Sequence, residues 1–479
     1  MRLSELAYDA FSPDPNIIGI TADSREVSPG YLFAALPGVA ADGAKFIPQA
    51  IENGAVAILA MPGVEASVPV IQDDNPRRRL AQLASRFFSR QPEMIAGITG
   101  TNGKTSTALF TAQLWSMLGH EAGSVGTLGA QANKYERPLI HTTPDPVTLH
   151  ETLDAMTRSG VTHLAMEVSS HGLAQARVDA VDFRVAAFTN ITQDHLDYHA
   201  SFEEYFEAKS RLFDTLLNAD GVVVVNMDGE GADDIVALAR KRGLSTIKTG
   251  ANGEDLRLVR CQPHMGGLEI DVDVWGKKYN IDIPLIGGFQ AENVLLAAGI
   301  AIAAGARAEE ILPLLPNIKG ARGRMEQAAE VAGAGVFVDY AHTPDAVATA
   351  LQAIRPHARG RVIAIVGAGG DRDKGKRPLM GKAARDHADM VIVTDDNPRS
   401  EDPAAIRDYV LKGCPDAENI GDREQAIAAG VAALSEGDVL LIMGKGHETG
   451  QKVGDILLPF DDAEVAQSAV ANRLKELGR

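Results

Sequence analysis

One stretch constrains this chain more than any other: Gly97-Ile-Thr-Gly-Thr-Asn-Gly-Lys-Thr-Ser106. Just upstream, Met94–Thr99 reads as a strand. Just downstream, Ala108, Ala112, Trp115 and Leu118 recur on one helical face, and Gly119 is a stop signal. A strand that runs through a glycine-rich loop into a helix builds a cradle for phosphate. Successive backbone N–H groups point at the phosphate oxygens, and the helix N-terminus favours their charge. Lys104 would reach the β- and γ-phosphates, and the Thr105 hydroxyl would bind Mg²⁺. The usual GxxxxGK[ST] spacing is not kept, because Ile98 stands where the first glycine belongs.

The rest of the chain falls into three blocks. Residues 1–90 alternate short strand-like runs (Ile17–Ile20, Val56–Leu59, Val68–Ile71) with turns, then a helical stretch over Arg77–Arg90. Residues 91–323 hold the phosphate loop and further strands at Thr162–Val168, Val185–Thr189 and Gly221–Asn226. Gly221–Val225 shows no alternation, as expected of a strand buried on both faces of a parallel sheet. Leu256–Leu285 reads as antiparallel strands and Ala291–Ala304 as a buried, alanine-rich helix. Residues 324–479 alternate strands (Gly335–Asp339, Arg361–Val366, Met390–Thr394, Asp438–Met443) with helices, which implies a second doubly wound sheet. The expected class is α/β: a central P-loop-type domain flanked by a small N-terminal α/β domain and a C-terminal Rossmann-like one.

Charge and cysteine content narrow the function. Lys and Arg total 46 and Asp and Glu 64, a net charge of −18, which argues against nucleic acid or an anionic membrane as partner. The two cysteines, Cys261 and Cys414, have no metal-type spacing and fit a reducing compartment. The N-terminus has no signal-peptide core, and the run near Val294–Ala306 is shorter than the roughly 20 residues a membrane span needs. The expectation is a cytoplasmic monomer acting on small molecules, with no membrane insertion.

Several further strings sit where chemistry would need them. Glu167, at the end of an apolar strand, is placed for a magnesium site, although alone it reads as a solvated strand end. Lys209 lies on a helix spanning Ser201–Phe213, where the plain reading is a solvated lysine. Val366-Gly-Ala-Gly-Gly-Asp-Arg372 fails the dinucleotide pattern, because Arg372 stands where its last glycine belongs. Asp396-Asn-Pro-Arg399 is by itself an Asx-Pro turn.

Together these strings resemble the ATP-dependent Mur ligase superfamily, beginning with Gly100-Thr-Asn-Gly-Lys-Thr105 and extending over essentially the whole chain. The resemblance implies an amide ligase that adds meso-diaminopimelate to the D-Glu γ-carboxylate of UDP-N-acetylmuramoyl-L-Ala-D-Glu, using ATP and Mg²⁺. On that basis Gly100, Thr101, Asn102, Gly103, Lys104, Thr105, Ser106, Asn293, Arg324 and Asp339 would hold ATP. Thr105, Glu167, His195 and a carbamylated Lys209 would hold metal, and Lys104, Glu167, His195 and Lys209 would be the catalytic set. An uncharged lysine amine adds CO₂, and the resulting carbamate is a hard oxygen ligand. His199 is taken as structural. Ala22, Ser24, Val39, Ala40, Ala41, Thr142, Thr143, Ser169, Gln175 and Arg177 would hold the uridine nucleotide and its muramoyl arm.

Arg372, Asp396, Asn397, Pro398, Arg399, Gly444 and Glu448 would take the diaminopimelate. That amino acid carries a second carboxylate where lysine carries only hydrogen, and a planar guanidinium can meet it with two hydrogen bonds. Two other readings stay open on sequence alone: a relative adding lysine or a D-Ala-D-Ala dipeptide, and a P-loop switch or motor.

Overall fold

The computed structural model describes residues 1–38, 42–192, 198 and 201–476. It divides into two compact units, residues 1–256 with 296–311, and residues 257–295 with 312–479. The sheets of both units are mostly parallel.

In the first unit the strand Met94–Thr99 has a parallel neighbour on each edge. His163–Glu167 lies on one side, with Ile98 opposite Glu167, and Phe183–Phe188 on the other, with Thr99 opposite Phe188. Leu217–Asn226 and Ser245–Gly250 extend the sheet beyond Phe183–Phe188. Beyond His163–Glu167 come Ala122–Gly126 in parallel, then Gly129–Ala132 and Tyr135–Arg137 as an antiparallel continuation. Parallel neighbours need crossovers, and the helices Lys104–Met117 and Pro146–Arg158 supply two of them. Because the strands are parallel, the ends of Met94–Thr99, His163–Glu167 and Phe183–Phe188 open at one edge of the sheet. Ligands of such sheets bind there.

A separate four-stranded parallel sheet in this unit runs Gly19–Thr21, Tyr31–Ala34, Ala55–Ala60, Val70–Gln72. Its outer strands begin two residues later than the apolar runs suggest, and Tyr31–Ala34 is a further strand that those runs do not include. The expected helix at Ser201–Phe213 forms as Phe202–Arg211, followed by a wider π turn over Leu212–Leu216.

The helix Pro146–Arg158 starts on Asp145, whose side chain accepts from the N–H groups of Val147 and Thr148. It carries one anomaly: His150 is fully buried, and neither ring nitrogen has a hydrogen-bond partner among the described residues. Desolvation pushes its pKa from 6.5 down to about 4. As pH falls, the unfolded chain takes up the proton first, so this group's share of stability is whole above about 6.5 and drains away toward 4. His150→Leu is therefore expected to remove about 2 kcal/mol of acid sensitivity, read as urea-unfolding free energy at pH 7.5 minus that at pH 5.

The second unit holds an antiparallel pair, Gly267–Val274 with Lys277–Ile283, in the region read as antiparallel. Leu268, Ile270, Val272 and Val274 are buried in alternation there. Its main sheet runs Glu326–Val331, Ala334–Asp339, Val439–Met443, Val362–Val366, Met390–Val393, Glu418–Asn419. The first pair is antiparallel and the rest parallel. The loops after Asp339, Val366, Val393 and Met443 consequently leave from one end of the sheet. Among the described residues, no helix is long and apolar enough to cross a membrane.

Candidate active site

The phosphate loop is shaped by glycine where no other residue fits. Gly100 has φ +147°, and a Cβ there would collide with the Thr189 hydroxyl. Gly103, at φ +86°, caps the helix that begins at Lys104, with Thr105 and Ser106 in its first turn. The segment after Phe188 clamps the loop. Thr101 N–H donates to Asn190 O at 2.8 Å, Asn102 N–H to Asn190 Oδ1 at 3.0 Å, and the Thr189 hydroxyl to Asn102 O at 2.6 Å.

Two lysines converge on this loop. Lys104 Nζ donates to the carbonyls of Gly100 and Thr101, both at 2.9 Å. Lys209, 1 % exposed, donates to Gly100 O at 2.7 Å and lies 4.5 Å from the centre of the Tyr205 ring. A solvated lysine, the plain reading of the sequence, is thus not what the fold builds.

Glu167 is buried and fully engaged. Its Oε2 accepts from the Thr105 hydroxyl at 2.9 Å and its Oε1 from Thr127 N–H at 2.8 Å. The Thr127 hydroxyl lies 3.0 Å from that of Thr142. Thr143 continues the chain of contacts: its hydroxyl donates to Glu167 O at 3.1 Å and accepts from Ser169 N–H at 2.9 Å. Ser169 caps the short helix Ser170–Ala174. Arg177 donates to Thr143 O at 2.6 Å and to Gln175 Oε1 at 2.8 Å. Ser24 lies elsewhere in the unit, beyond the strand Gly19–Thr21, where its hydroxyl donates to Gln49 Oε1 at 3.2 Å; Ala22 is exposed beside it. Val39, Ala40, Ala41, His195 and His199 lie outside the described residues.

The hydroxyl of Thr105 and the carboxylate of Glu167 fit a magnesium ion, since both are hard oxygen donors beside a phosphate-binding loop. An ammonium at Lys209 does not fit; a carbamate there would.

The remaining predicted residues belong to the second unit. Asn293 is buried, donating to Gln290 Oε1 at 3.0 Å. Arg324 stacks on Tyr340 at 4.9 Å. Asp339 accepts from Met325 N–H at 2.8 Å and Ala341 N–H at 2.9 Å, yet desolvation still raises its pKa. A Cβ on Gly323 would strike His447 N, so the approach to Arg324 packs directly on the Gly444–Glu448 loop.

The loops at the sheet's C-terminal end interlock. Asn397 donates to Glu448 Oε2 at 2.8 Å, and a Cβ on Gly444 would meet Asp396 Oδ2 at 2.5 Å. Asp396 is buried and its pKa is raised by that burial, opposed by the charges of Arg423 and Lys445. Pro398 packs on Gly370 so closely that a Cβ there would strike Pro398 O. Arg399 donates to Gly370 O at 2.7 Å; its Nη1 and the Arg372 Cγ both lie against Gly369. Arg377, 1 % exposed, ties the two loops together through Glu401 at 2.8 and 3.0 Å and holds that carboxyl down to about 2.

Some residues of the site escaped sequence reading. Gly126 leaves room for the Glu167 carboxylate, and Thr127 donates to it. The available signal was a glycine inside a strand, which marks close approach. Arg377 and Arg423 are buried cations with no local motif.

Three family models match in chain order: the Mur ligase family catalytic domain at residues 16–88, the Mur ligase middle domain at 98–301, and the Mur ligase glutamate ligase domain at 323–446. A UDP-N-acetylmuramoyl-L-alanyl-D-glutamate–2,6-diaminopimelate ligase of Caulobacter vibrioides is 49% identical over 98% of this chain and 98% of its own. The chain belongs to the Mur ligase family. The ligase of the same name from Bradyrhizobium diazoefficiens is 48% identical over 99% of this chain and 100% of its own. Among solved Mur ligases, one of that name superimposes with TM-score 0.76 at 32% identity, covering 99% of each chain. The MurF ligase of Thermotoga maritima in complex with ADP, 19% identical over 96% of this chain and 98% of its own, shares the fold at TM-score 0.61.

Proposed function

We propose that this Mur ligase joins meso-diaminopimelate to UDP-N-acetylmuramoyl-L-Ala-D-Glu at the expense of ATP. The placement of Arg372 and Arg399 against one glycine, Gly369, carries the amino-acid assignment. The Arg399 guanidinium, at the C-terminal end of a parallel sheet with the stem of Arg372 beside it, suits a substrate with an extra carboxylate, and lysine would leave it without that partner. The full-length relatives named for that activity support the same reading.

In the first step the D-Glu γ-carboxylate attacks the γ-phosphorus of ATP, giving an acyl phosphate and ADP. In the second, the amine of diaminopimelate attacks the acyl carbon and phosphate leaves. Lys104 offsets negative charge on the β- and γ-phosphates, while the N–H groups of Gly100–Ser106 orient them. Asn293 faces the adenine, and Arg324 and Asp339 clasp the rest of the nucleoside. Ala22 and Ser24, Val39–Ala41, and Thr142, Thr143, Ser169, Gln175 and Arg177 hold the uridine nucleotide and its muramoyl arm. Asp396, Asn397, Pro398, Gly444 and Glu448 shape the diaminopimelate pocket around the two arginines. Magnesium, held by Thr105 and Glu167 with His195 and a carbamylated Lys209, would supply charge neutralisation at the phosphates. The reading carries with it three domains (1–90 for the uridine nucleotide, 91–323 for ATP, 324–479 for the amino acid) and a cytoplasmic monomer. The net charge of −18 supports small-molecule rather than nucleic-acid partners.

Phosphate release with ATP, Mg²⁺ and the UDP-dipeptide tests it, with meso-diaminopimelate, L-lysine and D-Ala-D-Ala added in parallel and products read by mass spectrometry. Diaminopimelate alone should support turnover. Equal turnover with lysine would sink the role given to Arg399, and phosphate release without any amine would sink the ligase.

A further inference from the structure

A short hairpin, Gly450–Val453 paired with Ile456–Pro459, lies against the Asp396–Arg399 loop. Its inner strand is bonded to that loop at every residue but the proline. Gln451 Nε2 donates to Asp396 O at 2.6 Å, and Lys452 N–H to Asn397 Oδ1 at 2.8 Å. Arg399 N–H donates to Lys452 O at 3.0 Å, and Gly454 N–H to Arg399 O at 2.7 Å. The last two bonds bracket Arg399, whose φ is +50°. Left-handed backbone is unfavourable for a residue with a Cβ, and it persists only where neighbouring structure enforces it. Here the enforcing structure is the hairpin. With the backbone so fixed, the side chain reaches Gly370 O and lies against Gly369.

We propose that the hairpin is the template that sets Arg399 to read the second carboxylate of the diamino-acid substrate, with Gly454 and Gln451 as positioning residues. The proposal rests on the assignment of Arg399 to that carboxylate. Gly454 and Gln451 act through the loop: one bonds the arginine's own carbonyl, the other the carbonyl of Asp396.

The test uses the full chain, with KM and kcat for meso-diaminopimelate and L-lysine, KM for ATP and a thermal melt. Gly454→Pro loses the N–H and cannot adopt the φ of +58° found there. It should raise KM for diaminopimelate about tenfold and lower the diaminopimelate-to-lysine ratio of kcat/KM about tenfold, with KM for ATP within about twofold. Gly454→Asn keeps the N–H and tolerates left-handed backbone, so it should restore most of that ratio. Gln451→Leu should give a smaller loss, about threefold. If Gly454→Pro and Gln451→Leu slow both amino acids equally, with or without a lower melt, the hairpin is merely structural and the proposal falls. Arg399→Met separates the two failures. A ratio unchanged in Arg399→Met overturns the assignment of Arg399 itself; a ratio lost there but kept in the hairpin variants overturns the hairpin's role alone.

Discussion

Lys104→Met should lower ATP-dependent ligation by about a thousandfold while leaving the fold intact. Removing one preorganised charge from a developing phosphoryl transition state costs on the order of 10²–10³ in rate, and more where several oxygens share it. The ammonium of Lys104 is tied to the carbonyls of Gly100 and Thr101. Loop geometry, by contrast, comes mainly from Asn190, Thr189 and the glycine backbone, and Gly100 O keeps its bond from Lys209. Methionine also keeps the length and helix propensity of lysine. The melting temperature should therefore move by no more than a few degrees, and the loss should fall on kcat more than on KM for ATP. A thousandfold loss accompanied by an unfolded chain would assign Lys104 a structural role instead. A rate within tenfold of the parent would remove it from the catalytic set.

Arg423→Met should be the most destabilising single change outside the apolar cores. Arg423 and Asp462 are both fully buried and meet through two bonds, Nε to Oδ1 at 2.7 Å and Nη2 to Oδ2 at 2.6 Å. The same guanidinium donates to Asp395 O at 3.2 Å and Met443 O at 3.0 Å. Those carbonyls immediately precede Asp396 and Gly444. One buried cation thus joins the C-terminal helix Asp462–Glu476 to the roots of the Asp396–Arg399 and Gly444–Glu448 loops. Methionine would leave a buried carboxylate without its counter-ion, which costs about 3–5 kcal/mol. Urea unfolding should show a loss of that size. Arg423→Met combined with Asp462→Leu should recover a large part of it, because the charge is then gone as well, but not the share belonging to the two carbonyls. A single-variant loss below about 1 kcal/mol would show that the pair contributes little.

What could be read in advance was what is local in the chain. The phosphate loop announces itself because strand, glycines, lysine and helix are contiguous. The parallel strands of both units stand out because burial on two faces demands unbroken apolar runs such as Val222–Val225. Ala122–Gly126 escaped notice because its residues are small and carry almost no strand signal, and smallness is what lets the Glu167 carboxylate fit beside Gly126. The helix Pro146–Arg158 carries one local sign, Asp145 followed by Pro146. Arg423 and Gly454 could not have been found from spacing: their partners are 39 and 55 residues away, and only folding brings them together. The hairpin itself is even misleading in sequence, since Ile456, Leu457 and Leu458 look like core and are exposed.

Glu167 joins two groups of side chains. A single carboxylate takes hydrogen bonds from Thr105, beside the phosphate loop, and from Thr127, whose hydroxyl touches that of Thr142, proposed above to hold the muramoyl arm. A ligand on either side that redirects one of these hydroxyls changes the acceptor seen by the other. The two ligands are then energetically linked, and linkage is symmetric: whatever factor the nucleotide imposes on the affinity for the muramoyl substrate, that substrate must return on the nucleotide in equal measure.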